Sequence, residues 1–137
     1  MRHDEYLKHD ATALAALVRD GEVPAAELLG LARSQLARVQ PATNAVLREL
    51  PALAQAQLAR TWPPPPHEGA AAPAAALQGV PFLVKDSVLD VPGVPTSYGS
   101  RALARLSERF PPAEPAAALR RLLDAGAVVF GKTNLPE

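Results

Sequence analysis

The fold is decided by the stretch Pro115-Ala-Ala-Ala-Leu-Arg-Arg-Leu-Leu-Asp-Ala-Gly126-Ala-Val-Val-Phe130. Its leucines recur at helical spacing and predict one apolar face on a helix that covers 115–125. Gly126 predicts the end of this helix, because glycine adopts the positive φ of a C-terminal stop without strain. The apolar run 127–130 predicts a buried strand, and residues 131–137 are expected to leave it as a loop. A helix, a glycine and a strand in this order indicate a layered α/β fold.

Alternating apolar residues at 80, 82 and 84 predict a second strand, which ends at Lys85. The apolar stretch 88–91 predicts a further extended piece. Turn-forming residues fill 92–100. A short helix is expected at 101–106.

The first 60 residues are predicted to be helical. Apolar periodicity and stop residues place a helix from Thr12 to Gly21, a second from Pro24 that ends at Pro41, and a third at 51–60.

Composition shifts along the chain predict three regions. Residues 1–60 form an N-terminal helical segment. Residues 61–77 contain four consecutive prolines and an Ala/Pro tract, which favour a loop or linker. Residues 78–137 form the start of an α/β core that is incomplete.

The composition excludes several classes of protein. The 137 residues contain no cysteine, so a disulfide scaffold, a zinc-thiolate site and a cysteine nucleophile are excluded. The 14 basic and 14 acidic residues balance, which argues against nucleic-acid binding. No apolar run has the length of a membrane span and no signal peptide is recognised, so we expect a cytoplasmic protein with no membrane partner. The aromatic content of 4% is thin for a self-sufficient core and is typical of a piece of something larger.

Two local patterns have the residue types of a ligand site, one for a nucleotide and one for a metal ion. Residues 126–133 match the phosphate-loop pattern G-x-x-x-x-G-K-[ST], but the residues between the glycines are the predicted strand, so we do not expect nucleotide binding. The N-terminal residues His3, Asp4, Glu5, His9 and Asp10 are of metal-ligand type. They lack downstream partners at ligand spacing, and we predict no metal and no cofactor.

Lysine is rare in this chain, with three lysines against 11 arginines. A desolvated lysine can lose its proton, whereas arginine cannot, so a retained lysine is a candidate base. Lys85 is the best candidate, because it lies at the end of a strand, where α/β folds place their sites. The alternative interpretation is a surface lysine that pairs with Asp86. Lys132 is predicted to pair with a backbone carbonyl or an acidic neighbour, and Asn134 and Glu137 to fix the last loop.

Three blocks of the sequence resemble the amidase signature family. They are Gly79-Val-Pro-Phe-Leu-Val-Lys85-Asp86, Gly93-Val-Pro-Thr-Ser97-Tyr-Gly-Ser100 and Ala125-Gly-Ala-Val-Val-Phe-Gly-Lys-Thr-Asn134-Leu-Pro-Glu137, in the family's order and near its spacing. The resemblance extends more loosely back to residue 10. It implies N-terminal helices followed by the first strands and helices of a mixed-sheet α/β/α fold. The resemblance also implies that this fold is truncated in the chain.

Members of this family hydrolyse or transfer carboxamides through a Ser–Ser–Lys triad and an acyl-enzyme. The resemblance gives Lys85 the role of the catalytic base, which requires a buried, neutral lysine with a lowered pKa. The family's two serines lie in a downstream Gly/Ser-rich segment, and we expect this chain to end before it. Ser97 and Ser100 are interpreted as turn formers that hydrogen-bond their own backbone.

Two functions follow as expectations. The first is the N-terminal part of an amidase-signature hydrolase, inactive as the 137-residue chain alone. Its partners would be a small-molecule amide and a second copy in a homodimer or, less favoured, amidotransferase partner subunits. The second is a non-catalytic remnant or interaction module that binds a partner chain. The substrate-binding residues and the amide are unknown from the sequence.

Overall fold

The computed structural model describes residues 1–60 and 75–135. Most of the predicted loop at 61–77, with its four prolines, and Glu137 therefore lie outside the described residues. The helices are α1 (His3–Tyr6), α2 (Ala11–Arg19), α3 (Ala25–Thr43), α4 (Pro51–Leu58), α5 (Arg101–Arg109) and α6 (Ala117–Asp124). The strands are β1 (Val46–Glu49), β2 (Pro81–Lys85) and β3 (Val128–Thr133).

The strands form one mixed sheet in the order β1-β3-β2. The central strand β3 pairs with β2 in parallel and with β1 in antiparallel orientation. The predicted mixed-sheet α/β architecture is confirmed. The prediction that the first 60 residues are helical is wrong at β1, which brings the N-terminal segment into the same sheet as β2 and β3.

Helices cover both faces of the sheet, because residues of β3 alternate between them. Val128 and Phe130 contact the apolar side of α3 in one buried cluster, with Leu29 and Leu36. Val129 contacts Leu119 of α6 in another cluster on the opposite face. A further cluster joins α2, α3 and the residue before β2 and contains Leu14, Ala15, Val23, Leu28 and Val80. The layers are therefore helix, sheet and helix.

Several element ends differ from the prediction. Helix α3 continues past Pro41 to Thr43, because a proline in the last turn removes a single backbone hydrogen bond. The helix ends at Asn44, whose left-handed backbone (φ 45°) directs its N–H to the carbonyl of Gln40 at 2.9 Å. Strand β3 continues through Gly131 to Thr133 instead of becoming a loop, α5 extends to Arg109, and residues 88–91 form no strand.

Gly126 connects the end of α6 to both parallel strands. Its φ is +96°, and a Cβ atom there would lie 2.7 Å from the Cα atom of Gln78, so only glycine fits. Its carbonyl accepts a hydrogen bond from the N–H of Gly79 at 2.9 Å. The predicted stop is thus also the contact that starts β2 beside β3.

Among the described residues, no helix combines the length and the apolar character that a membrane span requires.

Candidate active site

The candidate site lies at the carboxyl ends of the parallel strands β2 and β3. Lys85 is opposite Thr133 in the register, and Val84 is opposite Lys132. The carboxyl ends of parallel strands are where open α/β sheets usually bind ligands. Both lysines that the three sequence blocks contain therefore lie at one end of the sheet.

Lys85 is exposed in this chain, so the expectation that it is buried is not met. Its neighbours Val84 and Asp86 are both buried. Within 1–60 and 75–135, the structure gives the Lys85 ammonium no hydrogen bond and no ion pair. The alternative interpretation is right that Lys85 is a surface lysine at the end of the strand. Its pairing with Asp86 is wrong, because Asp86 pairs with a different lysine.

That lysine is Lys132, which is 1% exposed. Its Nζ atom lies 2.8 Å from Oδ1 of Asp86. It also donates to Oγ1 of Thr96 at 2.8 Å and to the carbonyl of Pro95 at 3.1 Å. The predicted pairing of Lys132 with a backbone carbonyl or an acidic neighbour is confirmed, and it includes both. All three N–H groups of the ammonium have acceptors.

The Asp86 carboxylate is held by a second set of donors. Its Oδ2 atom accepts hydrogen bonds from the backbone N–H of Ser97 at 3.0 Å and from the Ser97 hydroxyl. Burial alone would raise the pKa of Asp86, but the hydrogen bonds from Lys132 and Ser97 outweigh it and bring the pKa below its usual value. Asp86 and Lys132 therefore form a charged pair at neutral pH.

The two serines interpreted as turn formers have different roles. The Ser97 hydroxyl donates to Asp86, so the prediction that it bonds its own backbone is wrong. The Ser100 hydroxyl accepts a hydrogen bond from the N–H of Leu103 at 3.4 Å and caps α5. That local backbone contact agrees with the interpretation of Ser100.

Thr96 extends the polar network away from Lys132. Its hydroxyl donates to Oδ1 of Asp90 at 2.8 Å, and its backbone N–H donates to Oγ of Ser107 at 2.9 Å. Sequence reasoning missed Asp90, Thr96 and Ser107 as members of the site. For Thr96 the sequence offered two signals, the turn residues around it and its place in the second block of the family resemblance, and neither predicts its partners.

An open groove of about 430 Å³ lies beside this network. Asp90, Thr96 and Ser107 give it a polar part, while Leu106 of α5 and Phe110, directly after that helix, give it an apolar wall. Its volume lies within the range of small-molecule sites. The arrangement therefore places a groove of ligand size next to the carboxyl end of β2.

The structure excludes a phosphate loop at 126–133, because Gly131, Lys132 and Thr133 belong to β3. A Cβ atom at Gly131 would lie 2.9 Å from the carbonyl oxygen of Arg48, so the backbone there is packed against β1. After the strand, the N–H of Asn134 donates to the carbonyl of Ala45 at 2.7 Å. This confirms that Asn134 fixes the segment after β3.

Two of the N-terminal residues of metal-ligand type, His3 and Asp10, form hydrogen bonds within the protein. His3 shares a hydrogen bond with Oε1 of Gln35 at 2.8 Å, and Asp10 caps α2 by accepting from the N–H of Ala13. In the part of the chain that the structure describes, no three His, Cys, Asp or Glu side chains come together as a metal site.

Comparison with known proteins gives the family. The family model described as Amidase matches residues 27–137. A glutamyl-tRNA(Gln) amidotransferase subunit from Oleidesulfovibrio alaskensis is 39% identical over 128 residues, which are 92% of this chain and 24% of that protein. The chain thus spans about a quarter of the length of this curated relative.

Solved structures agree with this relationship. The 6-aminohexanoate cyclic dimer hydrolase matches with a TM-score of 0.73 and 32% identity, over 94% of this chain and 24% of the hydrolase. The native peptide amidase from Stenotrophomonas maltophilia matches with a TM-score of 0.72 and 31% identity, over 95% of this chain and 25% of the amidase. The sequence matches and the structural matches therefore agree on one family and one fold. The chain belongs to the amidase signature family.

Proposed function

We propose that this chain is the N-terminal part of a hydrolase that cleaves carboxamide bonds through an acyl-enzyme. In this proposal Lys85 is the base of a Ser–Ser–Lys mechanism, and both serines lie downstream of residue 137. The 137-residue chain alone is then inactive.

The observation that carries the proposal is the contrast between the two lysines at the carboxyl end of the sheet. Lys132 is buried, and its ammonium is fully engaged by Asp86, Thr96 and Pro95. Such a lysine is unsuited to accept a proton from a serine hydroxyl. Lys85 ends β2, is exposed, and has no partner for its ammonium among the described residues. It is therefore the lysine that remains for chemistry.

The proposed chemistry needs Lys85 as a neutral amine. The neutral amine takes a proton from one serine hydroxyl, which takes the proton of the nucleophilic serine as that oxygen bonds to the amide carbon. The carbon–nitrogen bond then breaks, and the proton leaves with the amine. Water hydrolyses the resulting ester to a carboxylic acid. Since a dry environment favours a neutral amine, we propose that downstream sequence covers Lys85.

The substrate class follows from what the named relatives share. One belongs to an amidotransferase, one is a cyclic dimer hydrolase and one is a peptide amidase. We therefore propose that the substrate of the complete polypeptide is a carboxamide. A homodimer, or an assembly with amidotransferase partner subunits, is proposed for the complete polypeptide.

The test starts from the reading frame beyond codon 137. The complete polypeptide is expressed, and ammonia release is measured from acetamide, benzamide and an amidated dipeptide. We expect Lys85→Ala to lower turnover about 100- to 10,000-fold, as for loss of a catalytic base. Lys8→Ala is the matched control, because Lys8 is an exposed lysine between α1 and α2. Near-normal turnover of Lys85→Ala removes Lys85 from the mechanism.

A second experiment uses the 137-residue chain alone. We expect no amide turnover from it. Turnover that disappears in Lys85→Ala would show that the nucleophile lies within these residues and contradicts its proposed downstream position.

The alternative is an interaction module that binds a partner chain. It is favoured by α5, which buries no residue and exposes Leu106 at 55% and, directly after the helix, Phe110 at 70%. A stop codon directly after codon 137 would support this alternative. An open frame that continues into a Gly/Ser-rich segment would support the hydrolase.

A further inference from the structure

The buried pair of Asp86 and Lys132 is placed directly behind the proposed base. We infer that Asp86 and Lys132 are positioning residues that hold Lys85 at the carboxyl end of β2. This inference rests on the proposed function of Lys85.

Stability alone does not require a charged pair at these two buried positions. Buried ion pairs can often be replaced by apolar residues of similar volume without loss of stability. The hydrogen-bonding groups of this pair are nevertheless all satisfied. Lys132 donates to three acceptors, and Asp86 accepts from three donors. No side-chain N or O atom buried within the described residues lacks a partner. A network that is polar, buried and complete holds one geometry, which a role in positioning requires.

Backbone hydrogen bonds transmit this geometry to Lys85. The N–H of Asp86 donates to the carbonyl of Thr133 at 3.1 Å, and the carbonyl of Asp86 accepts from the N–H of Tyr98 at 3.2 Å. The carbonyl of Lys85 accepts from the N–H of Ser87 at 2.8 Å. The residue after Lys85 is therefore fixed on its main chain and on its side chain.

Alternation along the strand sets the direction of Lys85. Within β2, Val84 is buried and the last residue, Lys85, is exposed. Asp86, which is also buried, is the first residue of the turn that follows β2. Neighbouring side chains of an extended chain point to opposite faces. Holding the Asp86 carboxylate against Lys132 therefore directs Lys85 to the other side. If the pair is broken, this end of β2 can turn, and a displacement of about 1 Å at a reacting group costs about 100-fold in rate.

The first test measures kcat and KM for carboxamide hydrolysis by the complete polypeptide. Lys132→Met and Asp86→Asn should lower kcat about 10- to 100-fold and change KM less than about twofold, because substrate contacts are left in place. Gln57→Leu is the matched control. It removes the buried side chain that accepts from the N–H of Val129 at 2.7 Å, at the amino-terminal half of β3. Its kcat should stay within about twofold.

The outcomes separate the inference from the proposed function. If Lys85→Ala abolishes turnover but folded Lys132→Met keeps its kcat, the positioning role is wrong and the base remains. If Lys85→Ala keeps its turnover, the proposed function fails first. Where Lys132→Met does not fold, Thr96→Val replaces it, because it removes one acceptor of Lys132 with little change in shape. An unchanged kcat in that variant would also overturn the role.

A second measurement does not depend on activity. Amide hydrogen exchange of the 137-residue chain follows the N–H groups of Asp86, Ser97 and Tyr98, which all bond within this network. Lys132→Met should speed their exchange at least about tenfold more than that of the Val129 N–H, which reports unfolding of the whole chain. An equal acceleration at these three N–H groups and at Val129, or no acceleration at any of them, would show that the pair does not hold this end of β2.

Discussion

Asp86 and Lys132 face each other across the carboxyl ends of β2 and β3, with Oδ1 and Nζ 2.8 Å apart and with side chains 5% and 1% exposed. Removal of one partner would leave the other as an uncompensated charge in the protein interior. The energetic consequences of single and paired substitutions therefore differ, and they can be measured.

Lys132→Met should lower the free energy of unfolding by about 3–5 kcal/mol, the usual cost of breaking a buried pair from one side. Combining it with Asp86→Asn should cost less than the two single changes together, since the double variant carries no unpaired buried charge. Urea unfolding followed by circular dichroism measures all four proteins. Strict additivity would mean that the two side chains are not energetically coupled.

The lowered pKa of Asp86 predicts how stability depends on pH. A depressed folded-state pKa contributes stability that is fully present above the unfolded value, about 4, and is lost as pH falls through the lower folded value. The stability difference between the parent chain and Asp86→Asn should therefore be constant from pH 7 to pH 5 and shrink below about pH 4. Urea unfolding at stepped pH measures it. A difference that persists unchanged to pH 2 would contradict the charged pair.

Much of the fold was predictable, because its signals are local. A short run of sequence is enough to predict the helix before Gly126, and another predicts the strand after it. Strand β1 was missed for the opposite reason. Val46 is its only buried residue, so no alternating pattern is visible, and β1 exists through its pairing with β3. Pro41 misled the prediction because its effect depends on its position in the last turn.

The site was predictable in part. Lys85 was identified by its place at a strand end and by the family resemblance, and the structure leaves its catalytic role a proposal. An acidic or carbonyl partner for Lys132 was predicted, but not that the acid is Asp86. That contact depends on the parallel register, which places Val84 opposite Lys132. A linear pattern does not contain the register, so Asp86 was assigned to its neighbour in sequence.

Gly126→Ala should be strongly destabilising for two separable reasons. The φ of +96° strains any residue with a Cβ atom, and that atom would lie 2.7 Å from the Cα atom of Gln78. Gly93→Ala is the matched control, because Gly93 has φ +70° with nothing within 4 Å of the added atom. We expect about 1 kcal/mol for Gly93→Ala and at least about 3 kcal/mol for Gly126→Ala in urea unfolding. Equal costs would show that the contact with Gln78 is not tight.

Leu119 and Leu106 test which helix is packed within this chain. Both lie on short helices with one apolar side, so the sequence does not distinguish them, but Leu119 is 0% exposed and Leu106 is 55% exposed. Leu119→Ala should cost about 2–5 kcal/mol of unfolding free energy, because it opens a cavity against Val84 and Val129. Leu106→Ala should cost less than about 0.5 kcal/mol, as for a surface position. Urea unfolding of both variants makes the comparison. A large cost at Leu106 would mean that α5 packs against the rest of this chain, and the exposed face that favours an interaction module would then not exist.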